Sequence, residues 1–198
     1  MQEQRRVLNA MALLVALVLC LAAAPVCQAA EKTTIEEACL KAAEAASSRS
    51  KEGGEAASIY YEQCVRSLSS DRRSRDAADL HTLAAVAARM AVEHASATEA
   101  RMKGLSEAEE SPHARARLRH CLDLYAAAAD VLRDALDNVR ARVYGKAAQQ
   151  LAAAVGAAET CEDVWKGEDH VPVAGHDREY GRIALLALGL TTGIVTTA

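Results

Sequence analysis

Six cysteines and six histidines are the side chains of this 198-residue sequence whose chemistry depends most on spacing. Cys39, Cys64, Cys121 and Cys161 stand too far apart for any two to form the C-x2-4-C half-site of a zinc centre. Disulfide chemistry is what remains for them in an oxidising compartment. His113 and His120 lie a heptad apart, and His170 and His176 flank Pro172 and Gly175, but neither pair has the H-x3-H or carboxylate arrangement that fixes a metal. They read as solvated surface imidazoles. No G-x-S-x-G elbow and no glycine-rich phosphate loop occurs. The residues therefore predict a protein that is not an enzyme and needs no metal and no cofactor.

The compartment follows from the N-terminus. Arg5 and Arg6 precede an apolar run from Val7 to Ala24, closed by Pro25 and the small residues Val26-Cys27-Gln28-Ala29-Ala30. A basic end, an apolar centre and a small-residue site in that order predict a cleavable secretory signal over residues 1–29, cut after Ala29. Cleavage removes Cys20 and Cys27 and leaves the even set of four, so disulfides are the expectation. The net charge of -4 gives no support to nucleic acid or an anionic membrane as partner. With no Phe and one Trp, neither a sugar-stacking surface nor a platform for single-stranded nucleic acid is expected.

The elements that position these cysteines are helical. Alanine is abundant and no strand-like alternation appears; alanine forms helices readily but buries little area, so crosslinks carry more of the stability than usual. Breaks at Lys51 to Gly54, Ser69 to Asp71, Lys103-Gly104 to Pro112, Arg142 to Gly145 and Gly167 to Gly175 separate six predicted helices. These span roughly 33–48, 56–69, 76–102, 112–140, 144–166 and 177–194. Tyr144, Ala147, Leu151, Ala154, Ala158, Cys161 and Trp165 make one buried seam; Leu118, Cys121, Leu122, Tyr125, Ala128, Leu132, Leu136 and Val139 make a broader one. The fold class expected is all-α: an up-and-down four-helix bundle over residues 76–195, preceded by an N-terminal helical hairpin over 30–70. The apolar stretch from Ile183 to Ala198 reads as the last bundle helix rather than a lipid-anchor signal.

Two antiparallel helices rise equally per residue, so residues equidistant from their turn lie at one height. The midpoint of Cys39 and Cys64 falls between Lys51 and Glu52, and that of Cys121 and Cys161 at Ala141, each at a break. The pairs Cys39 with Cys64 and Cys121 with Cys161 follow, each adding roughly 3.5 to 4 kcal/mol on the chain-entropy model.

The segments Tyr61-Glu62-Gln63-Cys64-Val65-Arg66-Ser67-Leu68, Cys121-Leu122-Asp123-Leu124-Tyr125 and Ala157-Ala158-Glu159-Thr160-Cys161-Glu162-Asp163-Val164-Trp165, in this order and behind a signal peptide, resemble the plant invertase and pectin methylesterase inhibitor family. The resemblance covers essentially the whole of residues 30–198 and implies the same bundle, hairpin and disulfide pairing. It further implies a secreted protein of the plant apoplast and cell wall, or the vacuole, that blocks a carbohydrate-active enzyme one-to-one over its active-site cleft. Two departures stand out. Ser47 to Glu55 looks like an inserted polar loop. Invertase inhibitors of the family often carry Pro-Lys-Phe between the second and third bundle helices, whereas this chain has Tyr144-Gly145-Lys146 there and no Phe at all. Pectin methylesterase inhibitors tend to have a tyrosine near this point and bind through a helical face, so the resemblance points first to pectin methylesterase, with acid invertase as the alternative partner.

On that reading the interface residues are Arg133, Asp137 and Arg140, off the buried stripe, and Tyr144, Lys146, Gln149 and Gln150 around the following turn. Tyrosine and arginine are the usual interface anchors, which favours Tyr144 or an arginine over the glutamines. The basic runs Arg72-Arg73-Ser74-Arg75 and Arg115, Arg117, Arg119 lack interleaved aromatics and read as a linker and a solvated helix flank. The free protein is expected to be monomeric and not membrane-bound after cleavage. A helical bundle that binds a receptor or wall polymer without inhibiting any enzyme is the reading from another class.

Overall fold

Side-chain caps start most of the helices. The computed structural model describes residues 34–47, 53–168 and 171–197; the expected signal over 1–29, residues 48–52 of the polar loop and His170 lie outside them. Thr34 opens α1 (Ile35–Ser47) with a capping box: its Oγ1 accepts from the Glu37 N–H at 3.1 Å, and Glu37 Oε2 accepts from the Thr34 N–H at 2.9 Å. α2 (Gly53–Ser70) follows, and the Cys39–Cys64 disulfide joins the two with Cα atoms 5.7 Å apart. Asp71 caps the single turn α3 (Arg72–Arg75), Asp79 caps α4 (Leu80–Ala108), and Ser111 caps α5 (Pro112–Arg140) with Pro112 in its first turn. α6 (Tyr144–Asp163) and α7 (Ala174–Thr197) complete the chain. No strand occurs among the described residues.

Two sequence expectations are corrected. Lys103-Gly104 does not end α4, which runs on to Ala108. Met102 and Ser106 are buried one turn apart and Leu105 is half-buried, so packing on both sides of Gly104 outweighs the roughly 1 kcal/mol that glycine costs a helix. The Arg72 to Arg75 run is also not an irregular linker. Besides the Asp71 cap, Arg73 bridges Asp71 and Glu93 of α4, both at 2.6 Å, and this pairing holds both carboxyls below their ordinary range.

The four long helices close into a ring: α4 packs on α5 and α7, and α6 on the same two. This is the up-and-down four-helix bundle, and the α1–α2 hairpin lies chiefly on its α7 edge. The seam positions expected from sequence are buried, except that Leu122 and Tyr144 are half-covered. Alanines supply much of the core, including Ala84, Ala87, Ala88, Ala91, Ala129, Ala135, Ala147 and Ala184, with Leu83, Leu118, Leu132, Leu151, Ile183 and Leu190 filling between them. The second disulfide, Cys121–Cys161, links α5 to α6 with Cα atoms 5.0 Å apart.

One turn beyond Cys121 a polar group enters this core. The Tyr125 hydroxyl donates to Asp177 Oδ1 at 2.5 Å, and the Tyr125 ring meets Tyr180 edge-on with centroids 5.0 Å apart. Tyr180 in turn donates to the Ala154 carbonyl at 2.6 Å, so α5, α6 and α7 share one network. Asp177 is fully buried and its Oδ2 has no partner among the described residues. Burial pushes its carboxyl up to about 6; the Tyr125 bond pulls the other way, Glu162 adds to the rise and Arg178 opposes it.

The hairpin is held by a close approach. The Tyr60 hydroxyl lies 3.3 Å from the carbonyls of both Leu185 and Leu186, over Gly189. A Cβ on Gly189 would stand 1.9 Å from that hydroxyl and 3.5 Å from the Ala42 methyl. Gly189→Ala should therefore push Tyr60 off α7 and cost about 1–3 kcal/mol in urea unfolding. The effect should shrink when Tyr60→Ala is already present; equal costs in both backgrounds would refute the contact as its origin.

Asp177 sets a pH dependence. A carboxyl raised in the folded state favours folding while protonated, and this contribution disappears as pH rises from about 4 through about 6. Asp177→Asn keeps an acceptor for Tyr125 and removes the charge. The variant should match the parent near pH 3.5 and exceed it by about 1–3 kcal/mol at pH 7. A stability difference that stays flat over this range in urea titrations would contradict the assignment.

Candidate functional site

The turn between α5 and α6 brings most of the expected interface residues together. α5 ends in a Schellman motif: the Arg142 N–H donates to the Val139 carbonyl at 2.9 Å and the Val143 N–H to the Asn138 carbonyl at 2.8 Å. The residue this motif places in the left-handed region is Arg142, at φ 60°, where glycine is the usual occupant. Val143 follows with 47 % of its surface exposed, and it gives α6 no side-chain cap.

Tyr144 is then fixed rather than free. Its hydroxyl lies 3.0 Å from His81 Nδ1 on the first turn of α4, and the two rings meet edge-on with centroids 5.9 Å apart. Arg142 Nη1 donates to the same hydroxyl at 3.4 Å. Asp79, the α4 cap, stands behind this group; its carboxyl is held below the ordinary range by the Thr82 hydrogen bonds, with His81 and Arg142 adding to the effect.

The remaining predicted residues divide by role. Asp137 and Arg140 pair at 3.2 Å, both largely exposed beside the turn, and Lys146 and Gln149 are exposed on the first turns of α6. Arg133 lies two turns up α5, paired with Asp130 and 3.4 Å from Ser96 Oγ of α4. Gln150 is half-buried and accepts from Asn138 Nδ2 at 2.7 Å, which ties α6 to α5 instead of presenting a free side chain. His81, Arg142 and Val143 belong to this end of the bundle although sequence reasoning did not select them. Arg142 carried one usable signal: the break after Arg140 contains no glycine before Tyr144, so some other residue had to take the left-handed position.

At the opposite end the basic run on α5 splits. Arg117 turns toward the segment after α6, paired with Glu168 and 5.6 Å above the buried ring of Trp165. Arg115 and Arg119 lie on another face, toward α4. His113, His120 and His176 are exposed, and no cluster of metal-ligating side chains forms among the described residues.

The sequence model of the plant invertase/pectin methylesterase inhibitors matches residues 33–183. The chain belongs to that family. Its bundle, hairpin and two disulfides are thus those of an inhibitor family, and the chain stands among inhibitors rather than enzymes. Curated relatives from Platanus acerifolia and Platanus orientalis, each named "Putative invertase inhibitor", are 27% identical over 135 residues, covering 67% of this chain and 75% and 79% of theirs. Among solved structures, a mutant form of a pectin methylesterase inhibitor from Arabidopsis superposes with a TM-score of 0.61 at 20% identity, covering 68% of this chain and 89% of that one. A second structure of a pectin methylesterase inhibitor, from Arabidopsis thaliana, gives 0.55 at 19%, with coverages of 67% and 87%. At these identities the two structures speak for the fold.

The left-handed residue offers a direct test. Arg142→Gly relieves the conformational cost of a side chain at positive φ, which exceeds the extra chain entropy glycine loses. Urea unfolding should show the variant about 0.5–1 kcal/mol more stable. A loss of stability would mean that the Arg142 side chain holds the turn.

Proposed function

We propose that this family member is a secreted inhibitor that binds one-to-one over the active-site cleft of a cell-wall enzyme, pectin methylesterase in the first place. In this reading residues 1–29 are a signal removed after Ala29. Residues 30–198 form the inhibitory domain, with the hairpin over 30–70 and the bundle over 76–195, acting in the apoplast as a monomer. The observation that carries the choice of target is the clamp on Tyr144. The Pro-Lys-Phe plug that invertase inhibitors of the family often carry at this turn ends in an aromatic side chain; here the chain has no Phe, and the aromatic present is half-buried against His81. What the turn offers instead is a surface: Arg140, Arg142 and Lys146 around exposed Val143, continuous with the outer side of α5 and α6. Such a surface suits docking along a helical face, with tyrosine and arginine as anchors. Acid invertase is the second reading, favoured by the names of the Platanus relatives.

The test is a paired assay with secreted protein whose first residue is read as Ala30. Near pH 5 and at equimolar amounts it should abolish pectin methylesterase activity and leave acid invertase untouched. Arg142→Gly, although more stable, should inhibit less. Inhibition of invertase alone would move the target to the second reading, and activity of both enzymes at micromolar excess would end the inhibitor reading.

A further inference from the structure

At the end of the bundle away from Tyr144, α4 and α5 flank an open groove of about 400 Å³ lined by Lys103, Ser106, Glu107, Arg115, Arg119 and Leu122. Three of the six lining side chains are cations and one is an anion, in a chain whose net charge is -4. Arg115 and Arg119 are four residues apart on one helix, a like-charge spacing that costs an isolated helix a few tenths of a kcal/mol. The third arginine of the run, Arg117, leaves this face for Glu168 and Trp165, so the run does not behave as a uniform solvated flank. Neither Lys103 nor Arg119 forms an ion pair with any described residue, and both are exposed. Arg115 is fixed beforehand: its Nε donates to the Glu109 carbonyl at 2.9 Å, and Nη2 donates to the same oxygen. A guanidinium already held in place loses less freedom when it binds an anion.

We propose that this groove binds the carboxylates of an acidic polysaccharide chain. A fixed guanidinium with an arginine and a lysine around it pairs with carboxylate oxygens through charge-assisted hydrogen bonds, as it would with those of phosphate. The lining favours a polymer over an acidic protein: it has one apolar side chain, Leu122, and no aromatic ring, so it lacks the buried anchor on which protein interfaces depend. Without rings to stack on, recognition rests on charge. Arg119 and Arg140 are separated along α5 by a helical rise of about 30 Å. The groove contact itself therefore does not overlap the Tyr144 end.

Immobilised polygalacturonate is the probe, with fully methyl-esterified polymer and polyglutamate as the other arms. The protein should be retained by polygalacturonate at about 20 mM salt and released by about 0.3 M, where screening is strong. It should pass through the esterified polymer and bind polyglutamate more weakly. Lys103→Ala with Arg119→Ala should weaken binding at least about tenfold, while the charge-matched pair Arg66→Ala with Arg89→Ala, at exposed positions elsewhere, leaves it unchanged. Equal loss in both double variants would mean that general charge, not the groove, holds the polymer. Retention of binding by the groove variant, or equal binding to the esterified polymer, would overturn the proposal. Polyglutamate binding as tight as polygalacturonate would assign the groove to an acidic protein instead. No enzyme enters this measurement, so its outcome is separate from that of the inhibition assay.

Discussion

A methyl group fills little space, and a core in which alanine outnumbers leucine holds together only where helices come close. The bundle meets that demand on α4 through α7, and the hairpin meets it on α7, where Gly189 admits the Tyr60 hydroxyl to the helix backbone. Small side chains also give little apolar area per residue, so much of the specificity passes to directional contacts. The two disulfides, the Arg73 pairs and the Tyr125–Asp177–Tyr180 group each join elements that alanine contacts alone would leave free to slide.

These directional contacts are unevenly placed. The disulfide Cys121–Cys161, Tyr125, Asp177 and Trp165 gather toward one end, where a crosslink and buried hydrogen bonds join the helices. The other end is held by surface chemistry: an edge-on His81–Tyr144 contact, an asparagine–glutamine bond and a turn whose left-handed residue is an arginine. The crosslinked end joins α5, α6 and α7, and the turn at the other end leaves its arginines, lysine and valine exposed. Strain at Arg142 is consistent with this division, since a non-glycine residue at positive φ persists where its surroundings hold it.

Much of this architecture was legible because it follows from local rules. The symmetric placement of Cys39–Cys64 and Cys121–Cys161 about their turns and the seams of α5 and α6 follow from the spacing of residues within single helices and adjoining hairpins. The features that escaped depend on partners distant in sequence. Tyr60 needs Gly189, Tyr125 needs Asp177, and Tyr144 needs His81; no periodicity relates the members of these pairs. Gly104 misled because a helix breaker in isolation was outweighed by Met102 and Ser106 packing on either side of it. At the candidate site the sequence placed Asp137, Arg140, Tyr144 and Lys146 beside the turn, while the structure makes Gln150 a brace and Arg142 the left-handed residue of the turn.

The chain's one tryptophan has a practical consequence. Trp165 sits buried one turn beyond the disulfide-bonded Cys161, beneath Arg117, and the α1–α2 hairpin packs on a different part of the molecule, the α7 edge of the bundle. Indole emission is thus a single-site optical reporter of the disulfide-bonded end. A spectrum that stays constant certifies only that end, and a hairpin lifting from α7 would show in tyrosine or in backbone exchange while the indole signal remained silent.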